Sequence, residues 1–161
     1  MIKTDQKKIL VLGGTKHMID VVETAKRMGM SPIVVDNVIG SPAKSFADKS
    51  FNTSTADIEG LAKIVREEEV DGIYTAFEDI NSWNAIALCK KMGLPFYATK
   101  EQPAIASHKD RFKEICRRFS VPVIEEWEMA VELEETVVAS WKFPVLIKPV
   151  EGFTSRGNKA G

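Results

Sequence analysis

Residues 8–15 read Lys-Ile-Leu-Val-Leu-Gly-Gly-Thr, an apolar run of strand length that ends in two glycines. Apolar residues then recur at helical spacing over 18–28, and Gly29 closes this pattern. A second apolar run, residues 32–35, ends at Asp36. A strand, a helix and another strand in this order predict a right-handed β-α-β unit built around a parallel sheet.

The same alternation continues along the first part of the chain. The segment 37–55 predicts a loop with a short third strand near residues 50–52, and Asp57 is expected to cap the helix that follows. Residues 71–76 predict a fourth strand. Residues 81–92 are apolar on nearly every face, which predicts a well-buried helix, and Gly93 is expected to end it. Strands that alternate with helices are typical of an α/β fold with a Rossmann-like open parallel sheet.

The chain is predicted to hold two domains, 1–102 and 103–161, with the boundary at Gln102-Pro103. The first domain is expected to end with a short strand at residues 96–98. The second is predicted to contain a helix at 107–119, a strand at 123–129, a short helix at 132–141 and a strand at 145–148. Two strands do not close a sheet comfortably. The second domain is therefore expected to be an incomplete α+β fold, and the chain to be cut short.

The composition limits the classes of partner. The chain has 161 residues, of which 44% are hydrophobic and 28% charged, and a formal net charge of −1. That charge gives no general attraction to nucleic acid or to an anionic membrane, and no apolar run reaches the roughly 20 residues of a membrane span. Residues 1–8 lack the apolar segment of a signal peptide. Because Cys89 and Cys116 fall on apolar helical faces, a cytoplasmic protein with reduced thiols is expected.

Polar and glycine residues follow three of the predicted strands. Gly13 and Gly14 lie after the first strand, where open α/β sheets bind ligands, but a tight turn alone also explains them. Asp36 follows the second strand and is interpreted as a ribose ligand or, more simply, as a turn residue. Glu78 and Asp79 follow the fourth strand, where carboxylates suit a cationic or hydroxylated substrate. Capping of the next helix by Asp79 or Asn81 is the alternative.

The sequence offers no metal-ligand spacing and no nucleophile motif. Neither His17 nor His108 has a cysteine, a histidine or an acidic residue at the spacing of a metal site. Each histidine is interpreted as a helix-end or surface residue. No metal ligand is therefore predicted in this chain.

Residues 143–157 carry the sharpest functional pattern. The apolar run 145–147 predicts a buried strand that ends at Lys148, and the glycine-bounded polar loop 152–157 follows it. A lysine charge and inward-facing backbone amides converge well on phosphate oxygens. This arrangement predicts a nucleotide triphosphate site, with a solvent-facing lysine on an edge strand as the alternative.

Taken together, these residues resemble the ATP-grasp superfamily, in the branch of biotin carboxylase, the carbamoyl phosphate synthetase large chain and the phosphoribosylglycinamide-forming enzymes. The region around Gly13-Gly14 is similar to the pre-ATP-grasp domain of that branch. The segment His108-Lys109-Asp110 is similar to a helix start whose lysine approaches phosphate, while Phe153 is bulkier than the usual lid residue. The resemblance implies that ATP is contacted by Lys109, Lys148, Thr154, Ser155, Arg156 and Gly157, and the substrate by Gly13, Gly14 and Glu78.

The resemblance implies an ATP-dependent ligase that joins a small carboxylate to an amine through an acyl phosphate, with ATP and Mg²⁺ as cofactors. Family members run on into the adenine-binding hinge and the Mg²⁺ ligands, which lie beyond Gly161. The chain is therefore expected to be an N-terminal portion that is inactive alone. Its partner would be a second copy in a homo-oligomer or a complementing C-terminal chain. A non-catalytic Rossmann-like ligand-binding module and one subunit of a split ligase stay open as alternatives.

Overall fold

The computed structural model describes residues 6–124, 135–139, 141–147 and 159–160. The chain divides into two compact units, Met1–Pro103 and Ala104–Gly161. The elements of the first unit are β1 (Lys8–Leu12), α1 (Met18–Arg27), β2 (Ser31–Val35), a 3-10 helix (Pro42–Phe46), β3 (Lys49–Phe51), α2 (Ile58–Glu67), β4 (Gly72–Tyr74) and α3 (Asp79–Met92).

The first unit is built on one parallel sheet of four strands in the order β3-β2-β1-β4. Strands β1 and β2 pair over their full length, from Lys8 opposite Ser31 to Leu12 opposite Val35. Leu12 and Val35 are completely buried. A parallel strand that is covered on both faces carries a continuous apolar run rather than an alternating one, which is why the sequence pattern identified both strands. The predicted α/β class is confirmed.

Helices cover both faces of this sheet. On one face, α2 and α3 pack on Leu10, Leu12, Ile33 and Val35; on the other, α1 and Ala43 pack on Val11 and Val34. Burial of these apolar side chains, at about 25 cal/mol per Å², is the main term that stabilises the unit. Burial within the same core raises the pKa of the Cys89 thiol to about 11, which keeps it protonated near neutral pH.

Helix α2 begins as predicted, and helix α3 departs from its prediction. The Asp57 side chain accepts a hydrogen bond from the Gly60 N–H at 3.0 Å, which is an N-cap contact. Helix α3 is buried along one face only, through Asn81, Ala85, Leu88 and Cys89, while Ala87 is exposed. Apolar residues on nearly every face of α3 therefore led to a prediction of more burial than the helix has. Its end at Gly93, in the left-handed region at φ 68°, is as expected.

The predicted short strand at residues 96–98 is wrong, because these residues are irregular. Side-chain contacts hold the segment where a strand ladder was expected. The Tyr97 hydroxyl donates to the Thr75 carbonyl oxygen at 2.6 Å, and the Tyr97 ring lies 5.5 Å from the ring of Tyr74. Strand β4 is also shorter than the predicted 71–76.

Helix α4 (Glu101–Ser107) lies where the chain passes from the first unit to the second. The sequence analysis did not predict this helix, because Gln102-Pro103 was interpreted as the domain boundary. Proline is nevertheless tolerated in a first helical turn. The other elements of the second unit are α5 (Lys109–Arg118), α6 (Glu135–Ala139), β5 (Leu146–Ile147) and β6 (Lys159–Ala160).

Strands β5 and β6 pair antiparallel, with Leu146 opposite Ala160 and Ile147 opposite Lys159. The predicted helix at 107–119 corresponds to α5, and the strand at 145–148 is present as β5. Most of the predicted strand at 123–129 lies outside the described residues. Among the helices that the structure describes, none has the length and apolar character needed to cross a membrane.

Candidate functional site

The carboxyl ends of β1, β2 and β4 meet at one edge of the parallel sheet, which we call the carboxyl edge. The loops 13–17, 36–41 and 75–78 leave the sheet there. In open α/β sheets this edge is where ligands bind. Gly13, Gly14 and Glu78, the three predicted substrate residues, all lie on these loops.

The two glycines allow a close approach of the backbone to neighbouring side chains. Gly13 has φ +96°, and a Cβ there would lie 3.1 Å from the Asn81 Nδ2. A Cβ on Gly14 would lie 2.2 Å from the Ser41 Oγ, well inside van der Waals contact. The turn therefore needs glycine for its own structure, as the simpler sequence interpretation held, and that need is independent of any ligand.

The Asp36 carboxylate supports the backbone around this turn. Its Oδ2 accepts from the Gly14 N–H, and its Oδ1 accepts from the Val38 N–H, each at 2.7 Å. Both oxygens are therefore engaged by main-chain donors, which is an Asx-type turn contact on the Val38 side. This favours the interpretation of Asp36 as a turn residue over its interpretation as a ribose ligand.

Lys44 is buried behind the same loop, with 9% of its surface exposed. Its ammonium group donates to the Asp36 carbonyl oxygen at 2.7 Å, to the Val38 carbonyl oxygen at 2.6 Å and to the Asn52 Oδ1 at 2.7 Å. An ammonium group has three donors, and all of them are used. Lys44 thus ties the loop after β2 to the residue that follows β3, a role that the sequence analysis missed.

Glu78 lies at the start of α3 and its side chain is exposed. Its Oε2 accepts a hydrogen bond from the Asn81 Nδ2 at 2.8 Å. The preceding residue, Phe77, has φ +68°, a left-handed conformation that is rare for an aromatic residue. The capping alternative is not supported, because within the described part of the chain α3 has no side-chain hydrogen bond at its N-cap. The Glu78 carboxylate is therefore available at the carboxyl edge.

The rings of His17 and Phe77 lie 5.6 Å apart between centroids, tilted by 50°. This contact brings the start of α1 next to the loop after β4. Lys16 and His17 are both exposed beside the Gly13-Gly14 turn. The carboxyl edge therefore presents Lys16, His17 and the exposed Glu78 carboxylate around a glycine turn, a set that suits a small polar ligand with both anionic and donor groups.

Of the predicted ATP contacts, Lys109 is the one that the structure describes; Lys148, Thr154, Ser155, Arg156 and Gly157 lie outside the described residues. Lys109 is the first residue of α5, after His108 at the N-cap. A helix N-terminus favours an anion, and the lysine adds a positive charge there. This position fits a phosphate group. Over the ranges that the structure describes, no three or more His, Cys, Asp or Glu side chains gather into a metal site.

One protein family matches most of the chain. Residues 6–106 match the family described as the ribonucleotide synthetase preATP-grasp domain. The chain is 26% identical over 153 residues to the formate-dependent phosphoribosylglycinamide formyltransferase of Prochlorococcus marinus, which covers 94% of this chain and 39% of that protein. The corresponding enzyme of Pyrococcus furiosus is 26% identical over 155 residues, covering 94% and 36%. The chain thus spans about two fifths of the length of the curated relatives it matches.

Solved structures resemble the chain over nearly its full length. The N5-carboxyaminoimidazole ribonucleotide synthetase of Thermotoga maritima has a TM-score of 0.72 and 26% identity, covering 96% of this chain and 41% of that one. The Staphylococcus aureus N5-carboxyaminoimidazole synthetase, solved with ADP, has a TM-score of 0.74 at 18% identity, covering 96% and 41%. The second likeness shows the shared fold.

Proposed function

The chain belongs to the ribonucleotide synthetase preATP-grasp domain family, and we propose that it forms the N-terminal portion of an ATP-dependent ligase of the ATP-grasp superfamily. The family match over residues 6–106 is the observation that carries this proposal. We assign residues 1–102 to the pre-ATP-grasp domain and residues 103–161 to the first part of the ATP-grasp domain. A cytoplasmic location belongs to the same proposal, since the free thiols of Cys89 and Cys116 suit a reducing compartment.

In this proposal Gly13, Gly14 and Glu78 contact the substrate, because they share the carboxyl edge of one sheet. Lys109 contacts a phosphate of ATP, as its place in the first turn of α5 supports. The same role is proposed for Lys148, Thr154, Ser155, Arg156 and Gly157 on the sequence pattern alone. ATP supplies the phosphoryl group that activates a carboxylate for attack by an amine. Mg²⁺ is a proposed cofactor with no ligand assigned among the described residues.

The substrate assignment is tested with phosphoribosylglycinamide, the compound in the names of the curated relatives. Titrated into the ¹⁵N-labelled chain, it is expected to shift the amide resonances of Gly13, Gly14 and Glu78 in NMR spectra. Glu78→Gln is expected to weaken this binding about tenfold, the order of a lost charge-assisted hydrogen bond. Asp79→Asn, the matched control, removes one charge from the adjacent residue and is expected to change the affinity less than twofold, about 0.4 kcal/mol. Equal effects of the two substitutions, or resonance shifts elsewhere, would contradict the assignment.

Binding of ATP to the 161-residue chain is expected to be weak, on the order of millimolar. Two partly exposed lysine–phosphate contacts contribute about 1–3 kcal/mol each before ordering costs. The affinity is also expected to fall with added salt, because screening weakens exposed ionic contacts. Calorimetry at low and high salt measures both effects. Lys109→Ala should weaken the binding more than Lys113→Ala, which removes the same charge one turn along α5.

Micromolar binding that salt does not affect would contradict this expectation. It would mean that the 161 residues of this chain already form a complete nucleotide pocket. The nucleotide would then belong at the Gly13-Gly14 turn, as a Rossmann-like ligand-binding module would place it. The Lys109→Ala variant distinguishes the two sites, because it should leave binding at that turn unchanged.

A further inference from the structure

Asn81 is a buried amide at the carboxyl edge that is only half satisfied. The residue is 2% exposed. Its Nδ2 donates to the Glu78 Oε2 at 2.8 Å, while its Oδ1 has no hydrogen-bond partner among the described residues. The assignment of nitrogen and oxygen follows from the contact, because an ionised carboxylate accepts hydrogen bonds and does not donate them.

A buried polar group with an unpaired carbonyl oxygen destabilises a fold, so an apolar side chain of similar size would suit this core position at least as well. Within the described ranges, the Asn81 side chain makes one hydrogen bond, and it goes to Glu78. That acceptor lies on an exposed residue, where a hydrogen bond adds little to stability. The amide group of Asn81 therefore acts on the Glu78 carboxylate and does not stabilise the core.

The surroundings of Glu78 also limit the positions that its side chain can take. The Asn81 Nδ2 lies 3.1 Å from where a Gly13 Cβ would stand, so the amide fills the space that this glycine leaves open. The backbone just before Glu78 is left-handed at Phe77, and such strained residues concentrate at functional sites. Glu78 thus follows a strained residue, Phe77, and its carboxylate is held by Asn81.

We infer that Asn81 is a positioning residue. It holds the Glu78 carboxylate in one orientation beside the Gly13 turn, with the Oε2 anchored and the Oε1 presented to the ligand. This inference rests on the proposed function for the identity of the ligand. The orientation of Glu78 is a property of the free protein, so that part of the inference does not depend on the proposed function.

The experiment measures the orientation and the binding separately. In the isotope-labelled 161-residue chain, three-bond couplings of Glu78 report its χ1 rotamer populations. We expect one dominant rotamer in the wild type and averaged couplings in Asn81→Leu, whose melting temperature should be equal or higher. Asn81→Ala serves as a second variant that cannot clash with its neighbours. Asn84→Leu is the matched control. In the part of the chain that the structure describes, the Asn84 Nδ2 on α3 is also buried without a hydrogen-bond partner, and the hydrogen bond to Glu78 comes from Asn81 instead.

For binding, the probe is phosphoribosylglycinamide. Asn81→Leu is expected to weaken its affinity about tenfold, which is about 1.4 kcal/mol. In a Glu78→Ala background the same change should have less than a twofold effect, since Asn81 acts through Glu78. Unchanged Glu78 couplings in both Asn81 variants would overturn the inference, and so would an equal loss of affinity in the two backgrounds. If the wild type does not bind the probe, the substrate assignment fails, while the couplings still decide the role of Asn81.

Discussion

Lys44→Met is expected to lower the free energy of unfolding by about 3 kcal/mol. The Lys44 ammonium donates three hydrogen bonds of 2.6–2.7 Å, and hydrogen bonds that involve a charged group contribute about 1.5–3 kcal/mol each. Against this loss stands the relief of desolvating a buried charge, which costs several kcal/mol. The loss of the hydrogen bonds outweighs this relief, because the substitution also removes the donor to the Asp36 carbonyl oxygen and to the Asn52 Oδ1. The Val38 carbonyl oxygen still accepts from the Ser41 N–H at 3.2 Å.

Urea denaturation measures this change through the midpoint and the slope. Lys63→Met is the control, because Lys63 is an exposed residue of α2 whose contact with Glu67 spans 3.7 Å. Such a surface pair contributes about 0.5 kcal/mol or less. A Lys44→Met protein within about 0.5 kcal/mol of the wild type would show that the loop after β2 does not depend on this ammonium group.

Gly14→Ala is expected to destabilise the first unit by about 2–3 kcal/mol, the scale of overpacking a tight site. The added methyl group would lie 2.2 Å from the Ser41 Oγ and 2.9 Å from the Ser41 Cβ. To relieve this overlap, the turn must move away from Asp36, which weakens the hydrogen bond from the Gly14 N–H. Thermal and urea denaturation of the variant measure the loss.

Two further variants make this prediction specific. Gly40→Ala adds a methyl group to the neighbouring loop, where a Cβ would meet no atom within 4 Å among the described residues, and is expected to be nearly neutral. Ser41→Gly removes the atoms that the new methyl group would strike, so it should recover most of the stability of Gly14→Ala. Failure of this rescue would show that the cost lies in the contact of the new methyl group with the Asp36 Cβ, at 3.2 Å, and not in its contact with Ser41.

Short-range patterns predicted the framework well. The apolar runs at 8–12 and 32–35, the Asp57 cap and the Gly93 end each depend on residues that are neighbours in sequence or on burial of a continuous run. The irregular segment at 96–98 was mispredicted because its contacts are made by the Tyr97 side chain to distant partners. Intrinsic β-strand propensity does not indicate which distant side chains a segment will contact in the fold.

The sequence predicted which residues share the carboxyl edge, but it did not identify the buried polar residues that support that edge. Gly13, Gly14 and Glu78 follow predicted strands, and the topology of a parallel sheet places such residues at one edge. Lys44 and Asn81 gave no comparable signal, since a lysine among serines reads as surface and an asparagine near a helix start reads as a cap. Their importance comes from burial, which sequence periodicity reports for apolar residues only.

The position of β1 between β2 and β4 sets an order for folding during synthesis. Pairing of β1 with β2 joins residues such as Lys8 and Ser31, so that half of the sheet is complete early. Pairing with β4 joins Ile9 to Gly72, across a loop of about 60 residues whose closure is entropically slower. The three loops of the carboxyl edge therefore come together only after residues 75–78 have left the ribosome. Until then the edge of β1 that pairs with β4 is exposed, and the nascent chain presents only the β3-β2-β1 part of the sheet.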